Sequence, residues 1–526
     1  MDAGGISVTV RLGQGEIPVD QIPVDQIPVE GQPTQTIPTP DLEFAGIGPE
    51  VVVSTTALVI VGLLALSQRW PRLRSATFWV SIVGLAVAGV LLAGAWSDVM
   101  TFGSYQTLRG MVAVDGFALF NKFLVLVATF LGLLIAQGFL RRENLDAGAY
   151  HALILLSAAG MLMMASANDL IVIFLALEVL SIALYVLAAF HRDRLESQEA
   201  GIKYFVLGAF SSAIFLYGVA WVYGATGTTS LTGIAQFLSN FTLVENQGLL
   251  VGLALLLVGF GFKVSAVPFH MWTPDVYEGA PTPVTAFMSA GTKVASFAAL
   301  LRVLQTGLET QRLDWEPLVF GLAVLTLVVG SVLAIVQTNV KRMLAYSSIS
   351  HAGFVLIGVQ AGTDDGVAAA LAYLFAYTFI VVGTFSVVTV LAHRGDVGHD
   401  LSDYRGLSRR QPVVAALLAF LLFAQAGIPL TSGFVAKLAV FRAAVNDEQY
   451  ALVIVAVLVA VVAAFVYIRL LVVTYLEDTD SDGTAGRVHV DGGARLALAI
   501  CAAFTLAIGV APNALLDIAD RANFLF

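Results

Sequence analysis

Five ionisable side chains lie inside long apolar runs of the sequence, where a charge is costly to keep. They are Glu178, Lys263, Lys293, His351 and Lys437. Ionisable groups at membrane depth are rare, and they commonly mark ion paths or proton relays. A buried carboxylate can exchange a proton when a neighbouring cation moves, and histidine titrates near neutrality. The residue types therefore indicate a charge pathway inside a membrane.

Each of these groups also has a structural interpretation. Glu178 and a lysine could form a buried ion pair that only fixes helix packing. Lys263 and Lys437 could extend towards a membrane interface, whereas Lys293 lies too near the middle of its run to do so easily. His351 could be hydrogen-bonded to a neighbouring carbonyl group. We favour the relay for Glu178 because an acid at membrane depth is expensive to keep for packing alone.

The composition is that of a polytopic membrane protein. Of the 526 residues, 58% are hydrophobic and 12% are charged, and the mean hydropathy is +0.86. Soluble domains are about a quarter charged. The single cysteine, Cys501, cannot hold an iron–sulfur cluster, a disulfide or a zinc ion by itself. With no nucleotide- or haem-binding motif and no basic patch, we expect no cofactor, metal or nucleic acid on this chain.

Short polar turns divide the apolar sequence into fourteen predicted membrane spans of an all-α fold. The fourth and fifth spans are joined only by residues 166–169, and merging them would give thirteen. The predicted bounds are 51–67, 76–95, 112–137, 149–167, 168–190, 201–225, 247–273, 280–304, 316–337, 344–361, 366–392, 411–442, 450–476 and 495–513.

Two of these spans contain a proline that should interrupt the helix. The seventh breaks at Pro268 and the twelfth at Pro429, and because they are five spans apart they run in opposite directions. Broken helices at matching places in two halves are typical of inverted repeats with a transport path between them. After the first break, residues 274–280 are expected to form a turn at the cytoplasmic surface, with Asp275 and Glu278 as turn-forming or partner-binding residues.

Charge asymmetry between the loops predicts the orientation. Fifteen Lys and Arg residues fall in one set of alternate loops and six in the other. Because positively charged loops face the cytoplasm, both termini are predicted to be extracytoplasmic. Lys203, at the cytoplasmic start of the sixth span, is interpreted first as an anchor and second as a relay group. The fifteen are Arg69, Arg72, Arg74, Arg141, Arg142, Arg192, Arg194, Lys341, Arg342, Arg394, Arg405, Arg409, Arg410, Arg487 and Arg495.

Residues 1–50 form a polar, acidic, proline-rich segment. It contains the repeat IPVDQ, IPVDQ, IPVE, beginning at residues 17, 22 and 27. Spaced prolines disfavour helices and central strands, so we predict an extended or disordered extracytoplasmic tail. A linker-like role is favoured over a docking role.

Four segments resemble the antiporter-like membrane subunits of bacterial complex I, the proton-pumping NADH:quinone oxidoreductase. The most specific is KVSAVPFHMWTPDVYEGAP at 263–281, which is more similar to subunit N than to subunits L or M. The others are SAGTKVA at 289–295, NVKRMLAYSSISHAG at 339–353 and GIPLTSGFVAK at 427–437. The resemblance covers about residues 50–515 and leaves the proline repeat without a counterpart.

The resemblance implies an antiporter-like domain at 51–526 with two inverted five-helix repeats, at about 149–304 and 316–476. It implies that Glu178 pairs with Lys263 and that Lys293, His351 and Lys437 continue the relay. NADH, flavin, iron–sulfur clusters and quinone are then expected in partner subunits. The chain itself would be a non-redox part of the translocase in the bacterial cell membrane, not catalytic alone.

Two functions follow from this resemblance. The first is proton translocation within complex I, beside other antiporter-like and small membrane subunits. The alternative is a subunit of a multi-subunit cation/proton antiporter, which shares the fold and has no dehydrogenase.

Overall fold

The structure, a computed structural model, describes residues 9–12, 15–18, 44–67, 69–70, 73–241, 247–478, 490–522 and 524. The chain divides into two units, residues 1–42 and 43–526. In the first unit, strands β1 (Thr9–Leu12) and β2 (Gly15–Pro18) pair antiparallel, with Thr9 opposite Pro18. The rest of the predicted N-terminal tail up to residue 43 lies outside the described residues.

The described part of the second unit is built from helices α1 to α19 and one small hairpin of strands β3 and β4. Strand β3 is Tyr105–Thr107 and strand β4 is Val112–Val114. The helices are α1 Gly48–Ser67, α2 Leu73–Phe102, α3 Gly116–Glu143, α4 Ala147–Ser166, α5 Leu170–Ala188, α6 Leu195–Thr226, α7 Leu231–Asn240, α8 Gln247–Val264, α9 Trp272–Gly279, α10 Thr282–Arg302, α11 Arg312–Ile335, α12 Val340–Ala361, α13 Asp364–Leu391, α14 Leu407–Arg410, α15 Pro412–Ala426, α16 Ser432–Asn446, α17 Tyr450–Leu476, α18 Gly492–Val510 and α19 Asn513–Asp520.

The described residues contain fourteen membrane spans, which is the predicted number. Thirteen helices there are long and apolar enough to cross a membrane, and the broken pair α15 and α16 supplies one more. The predicted separation of the fourth and fifth spans is confirmed. The Asp169 side chain accepts hydrogen bonds from free N–H groups in the first turn of α5. This cap, three residues after the end of α4, starts a new helix.

Both predicted helix breaks are confirmed. Helix α8 ends at Val264 and α9 begins at Trp272, so the first break spans residues 265–271 around Pro268. The second spans residues 427–431 around Pro429, between α15 and α16. Protein groups satisfy the interrupted backbone: Val267 N donates to Thr326 Oγ1 over 2.9 Å. Irregular backbone at membrane depth survives only where the protein covers it in this way.

Two predicted boundaries were wrong. The third span does not begin at 112, because residues 112–114 form β4 and the Asp115 side chain caps α3 from Gly116 onwards. Residues 274–280 do not form a turn, since most of them belong to the short helix α9. Helices α7 and α19, of ten and eight residues, were not predicted. A search for long apolar runs cannot find short helices with one apolar face.

Three helices form the centre of the bundle. In the most apolar 18-residue stretch of each helix, all residues of α10 and α12 are buried, and 94% of the residues of α13 are buried. Helices α2, α6 and α17 instead expose apolar side chains such as Trp79, Phe210 and Val461. An apolar outer surface is suited to lipid. Lys293 on α10 and His351 on α12 therefore lie in the part of the protein that lipid cannot reach.

Candidate functional site

Lys263 ends the first half of the broken seventh span. It lies in the last turn of α8 and is 2% exposed. Its Nζ donates a hydrogen bond to Ser181 Oγ over 2.6 Å. The same Nζ lies over the rings of Tyr185, Tyr204 and Phe262, at 5.7, 5.3 and 5.9 Å from their centroids. A hydroxyl and three aromatic faces therefore surround this amine.

Glu178 does not contact Lys263 in this structure. Among the described residues, the ion pairs within 4.0 Å do not include these two, and the Lys263 amine binds Ser181, three residues further along α5. Glu178 Oε1 is buried without a hydrogen-bond partner in the described part of the chain. The ion pair implied by the family resemblance is thus open here, because the amine has reached the next turn of the helix.

Lys293 occupies the centre of the bundle. Its Nζ donates to the Ser348 carbonyl oxygen over 2.6 Å and lies 3.4 Å from the Val264 oxygen, at the end of α8. The ring of Tyr377 lies 5.9 Å from this Nζ, and the Tyr377 hydroxyl donates to Ser348 Oγ over 2.7 Å. The end of a helix carries partial negative charge, which favours a cation there. Lys293 therefore joins the first break to α12 and α13.

His351 lies in the middle of α12, between two tyrosine hydroxyls. Its Nδ1 is 2.7 Å from Tyr373 Oη, and its Nε2 is 3.2 Å from Tyr467 Oη. The His351 ring is 5.1 Å from that of Tyr377. Both ring nitrogens therefore contact tyrosine hydroxyls, and not the neighbouring carbonyl of the alternative interpretation.

Lys437 lies on α16, the helix that follows the second break. Its Nζ donates to the carbonyl oxygens of Gln425 and Ala426 over 3.1 and 2.8 Å, and it lies 4.9 Å from the Phe354 ring centroid. These two carbonyls end α15, as the Val264 carbonyl beside Lys293 ends α8. Lys437 is 6% exposed, so it does not extend to an interface. Each broken helix thus presents a carbonyl end to a buried lysine.

A hydrogen-bonded chain connects His351 with the neighbourhood of Lys437. From His351 it passes to Tyr467 Oη, then over 2.6 Å to Ser347 Oγ and over 3.1 Å to Gln425 Oε1. Lys437 donates to the same residue at a different oxygen, the backbone carbonyl of Gln425. We did not single out Tyr467, Ser347 or Gln425 from the sequence, because uncharged polar residues in apolar runs are too common to mark a path.

Lys203 is separate from the buried groups. Its side chain is 40% exposed, and its Nζ lies 2.7 Å from Asp275 and 2.6 Å from Glu199. Arg342 binds Asp275 over 2.7 Å and Glu278 over 2.9 Å. Asp275 therefore ties α6, α9 and the start of α12 together. These residues line a polar cavity of about 420 Å³.

A second cluster lines the same cavity, around the fully buried Asp396. Its carboxylate binds Arg194 over 3.1 Å, Lys341 over 3.3 Å and the Thr282 hydroxyl over 2.7 Å. Burial alone would raise the pKa of Asp396, but Lys341 and His399 outweigh burial and hold it well below its usual range. Burial lowers the pKa of His399 below its ordinary value, against the opposing effect of Asp396. We did not predict this cluster because its members come from four separate segments.

A separate buried ion pair joins Glu50 on α1 to Lys122 on α3, with Lys122 Nζ and Glu50 Oε1 2.6 Å apart. Ser166 Oγ donates to the same oxygen over 3.3 Å. Glu50 lies at the start of its helix, so the search for acids in the middle of apolar runs missed it. No described hydrogen bond connects this pair to the groups around Lys263 or His351.

The chain is similar to several characterised proteins. The family model described as NADH:quinone oxidoreductase/Mrp antiporter matches residues 167–463. NADH-quinone oxidoreductase subunit N of Trichlorobacter lovleyi is 41% identical over 476 residues, which cover 90% of this chain and 96% of that protein.

Two solved structures share the fold. A chain of respiratory complex I from Thermus thermophilus with bound aureothin superposes with a TM-score of 0.75 and 31% identity, covering 90% of this chain and all of that one. A chain of the Mrp complex from a Dietzia species gives a TM-score of 0.76 at 23% identity, covering 91% and 97%. The second likeness concerns the fold alone.

Proposed function

Because the chain belongs to the NADH-quinone oxidoreductase subunit N family, we propose that it translocates protons as a membrane subunit of that complex. Electrons pass from NADH to quinone in partner subunits, which hold the flavin, the iron–sulfur clusters and the quinone. The chain lies in the bacterial cell membrane beside other membrane subunits of the complex, with both termini extracytoplasmic. Charge movement in those partner subunits drives proton transfer through this chain.

The proton path runs through Glu178, Lys263, Lys293, His351 and Lys437. The observation that carries this proposal is the hydrogen-bonded chain from His351 through Tyr467 and Ser347 to the side chain of Gln425, the residue whose backbone carbonyl accepts from Lys437. Hydroxyls that both donate and accept can pass a proton between groups that do not touch. Closing and opening of the Glu178–Lys263 pair alters how firmly Lys263 holds its proton, because an opposite charge favours the charged amine.

The test is proton pumping by the assembled complex in proteoliposomes. We expect Lys263→Ala and Glu178→Gln to abolish or strongly reduce pumping while the complex still assembles. Glu309→Gln is the matched control, since Glu309 is an exposed acid in a short turn between spans. Wild-type pumping by the Lys263→Ala complex would refute the relay.

A second candidate function is that of a subunit of a multi-subunit cation/proton antiporter. It is favoured by the family description, which includes Mrp antiporters, and by the fold of the Mrp chain. Gentle purification of the tagged chain distinguishes the two. Co-purifying flavin and iron–sulfur absorbance supports complex I, whereas their absence together with sodium-dependent growth rescue supports the antiporter.

A further inference from the structure

The surroundings of the Lys263 amine form a small aromatic cage. Its walls are Tyr185 on α5, Tyr204 on α6 and Phe262 on α8, each with a ring centroid within 6 Å of Nζ. The Ser181 hydroxyl completes it at 2.6 Å. The faces of aromatic rings carry partial negative charge and attract an ammonium group, most strongly where water is excluded. The cage therefore supplies what an unpaired buried ammonium needs.

Tyr204 contributes its ring, and not its hydroxyl group, to the wall of the cage. The Tyr204 hydroxyl is buried and has no hydrogen-bond partner in the part of the chain that the structure describes. The ring is 4.6 Å from that of Trp272 in a stacked arrangement, and Trp272 also stacks on Phe262 at 5.3 Å. The Trp272 indole N–H donates to the Phe262 carbonyl over 2.8 Å. Trp272, at the start of α9, thereby fixes two walls of the cage.

Two alternative sites for the amine lie on one face of α5. Glu178 and Ser181 are three residues apart, which places them on neighbouring turns of the same helix face. Lys263 binds Ser181 here, while Glu178 Oε1 has no hydrogen-bond partner among the residues that the structure describes. The long lysine side chain can exchange one site for the other by rotating about its side-chain bonds.

We propose that Ser181, Tyr185, Tyr204 and Phe262 form a resting site that holds the Lys263 ammonium while it is separated from Glu178. They are positioning residues, and the inference rests on the proposed relay and refines it. The open state of the pair is then a defined, stabilised state of the pump. Without the cage, the amine would return to Glu178 or give up its proton before the next step.

The test uses the assembled complex with residue 204 replaced by phenylalanine and then by mono-, di- and trifluorinated phenylalanine. Fluorine withdraws charge from the ring face and barely changes the shape, so folding is preserved and the cation attraction weakens stepwise. Tyr204→Phe, which keeps the ring, sets the reference rate of the series. Each added fluorine should lower the rate, to about a tenth with three fluorines. Tyr204→Leu should pump as slowly as the trifluorinated form.

Phe215 provides the matched control. It is a fully buried ring on the same helix that packs edge-on against Phe260, 5.0 Å away. The same fluorinated residues at position 215 should leave pumping unchanged. If the series at 204 pumps at a constant rate while Lys263→Ala does not pump, the cage is refuted and the relay stands. If Lys263→Ala itself pumps normally, the relay falls, and the cage with it.

Discussion

The amine of Lys263 lies 2.6 Å from the Ser181 hydroxyl and makes no contact with the Glu178 carboxylate one helical turn away. Both members of the expected ion pair are therefore present, but their charged groups are not in contact. A purely structural ion pair is expected to be closed, because contact between its charges offsets the cost of desolvation. The open pair is instead what the proposed relay requires of one of its states.

Ser181→Ala is predicted to slow proton pumping. The substitution removes the only hydrogen bond found for Lys263 Nζ among the described residues, and bonds to charged groups contribute about 1.5–3 kcal/mol. Ser181→Thr keeps the hydroxyl and should retain most of the rate. Ser239→Ala removes an exposed hydroxyl that also bonds to its own helix. Equal pumping by the Ser181→Ala and Ser239→Ala complexes would contradict the prediction.

Tyr467→Phe is predicted to interrupt the path between His351 and Lys437. It removes one hydroxyl that contacts both His351 and Ser347, and the ring is retained, so packing is preserved. The loss of two buried hydrogen bonds should reduce the pumping rate about tenfold. Tyr450→Phe, at the exposed start of the same helix, is the control. The prediction fails if both variants pump alike.

Asp396→Asn is predicted to destabilise the protein. It leaves the fully buried Lys341 and the partly buried Arg194 beside a neutral side chain, and removing one partner of a buried pair costs about 3–5 kcal/mol. The measurement is the thermal midpoint of the purified complex. Asp193→Asn, at an exposed position near Arg194, should leave the midpoint unchanged. A normal midpoint for Asp396→Asn would show that the cluster does not stabilise the fold.

His399 is predicted to make stability depend on pH. Its pKa is lowered in the folded protein, so below an ordinary histidine pKa of about 6.5 the unfolded chain binds more protons. Its contribution is therefore complete above that pH and is lost as the pH falls below it. His399→Gln should flatten the change of thermal midpoint between pH 7 and 5.

The control for this pH dependence is His393→Gln, at an exposed position of the same loop. This variant should keep the wild-type slope. The opposite outcome, with a flattened slope for His393→Gln and an unchanged one for His399→Gln, would exclude His399 as the source.

The sequence by itself determined the class of the protein, the fourteen spans, the breaks at Pro268 and Pro429 and the five ionisable residues that lie inside long apolar runs. These features depend on hydropathy, on the missing N–H of proline and on the cost of charge in lipid, which are properties of short stretches of chain. For the same reason, the strand at 112–114 and the helix at 272–279 were missed, because caps and neighbouring segments decide them.

Only the tertiary structure decided what each buried group contacts. Lys263 meets Ser181 from 82 positions away, and His351 meets Tyr467 from 116 positions away. The Asp396 cluster likewise gathers Arg194, Thr282 and Lys341 from distant segments. A sequence states which side chains are costly to bury, but the partners that offset the cost are chosen by the packing of helices far apart in the chain.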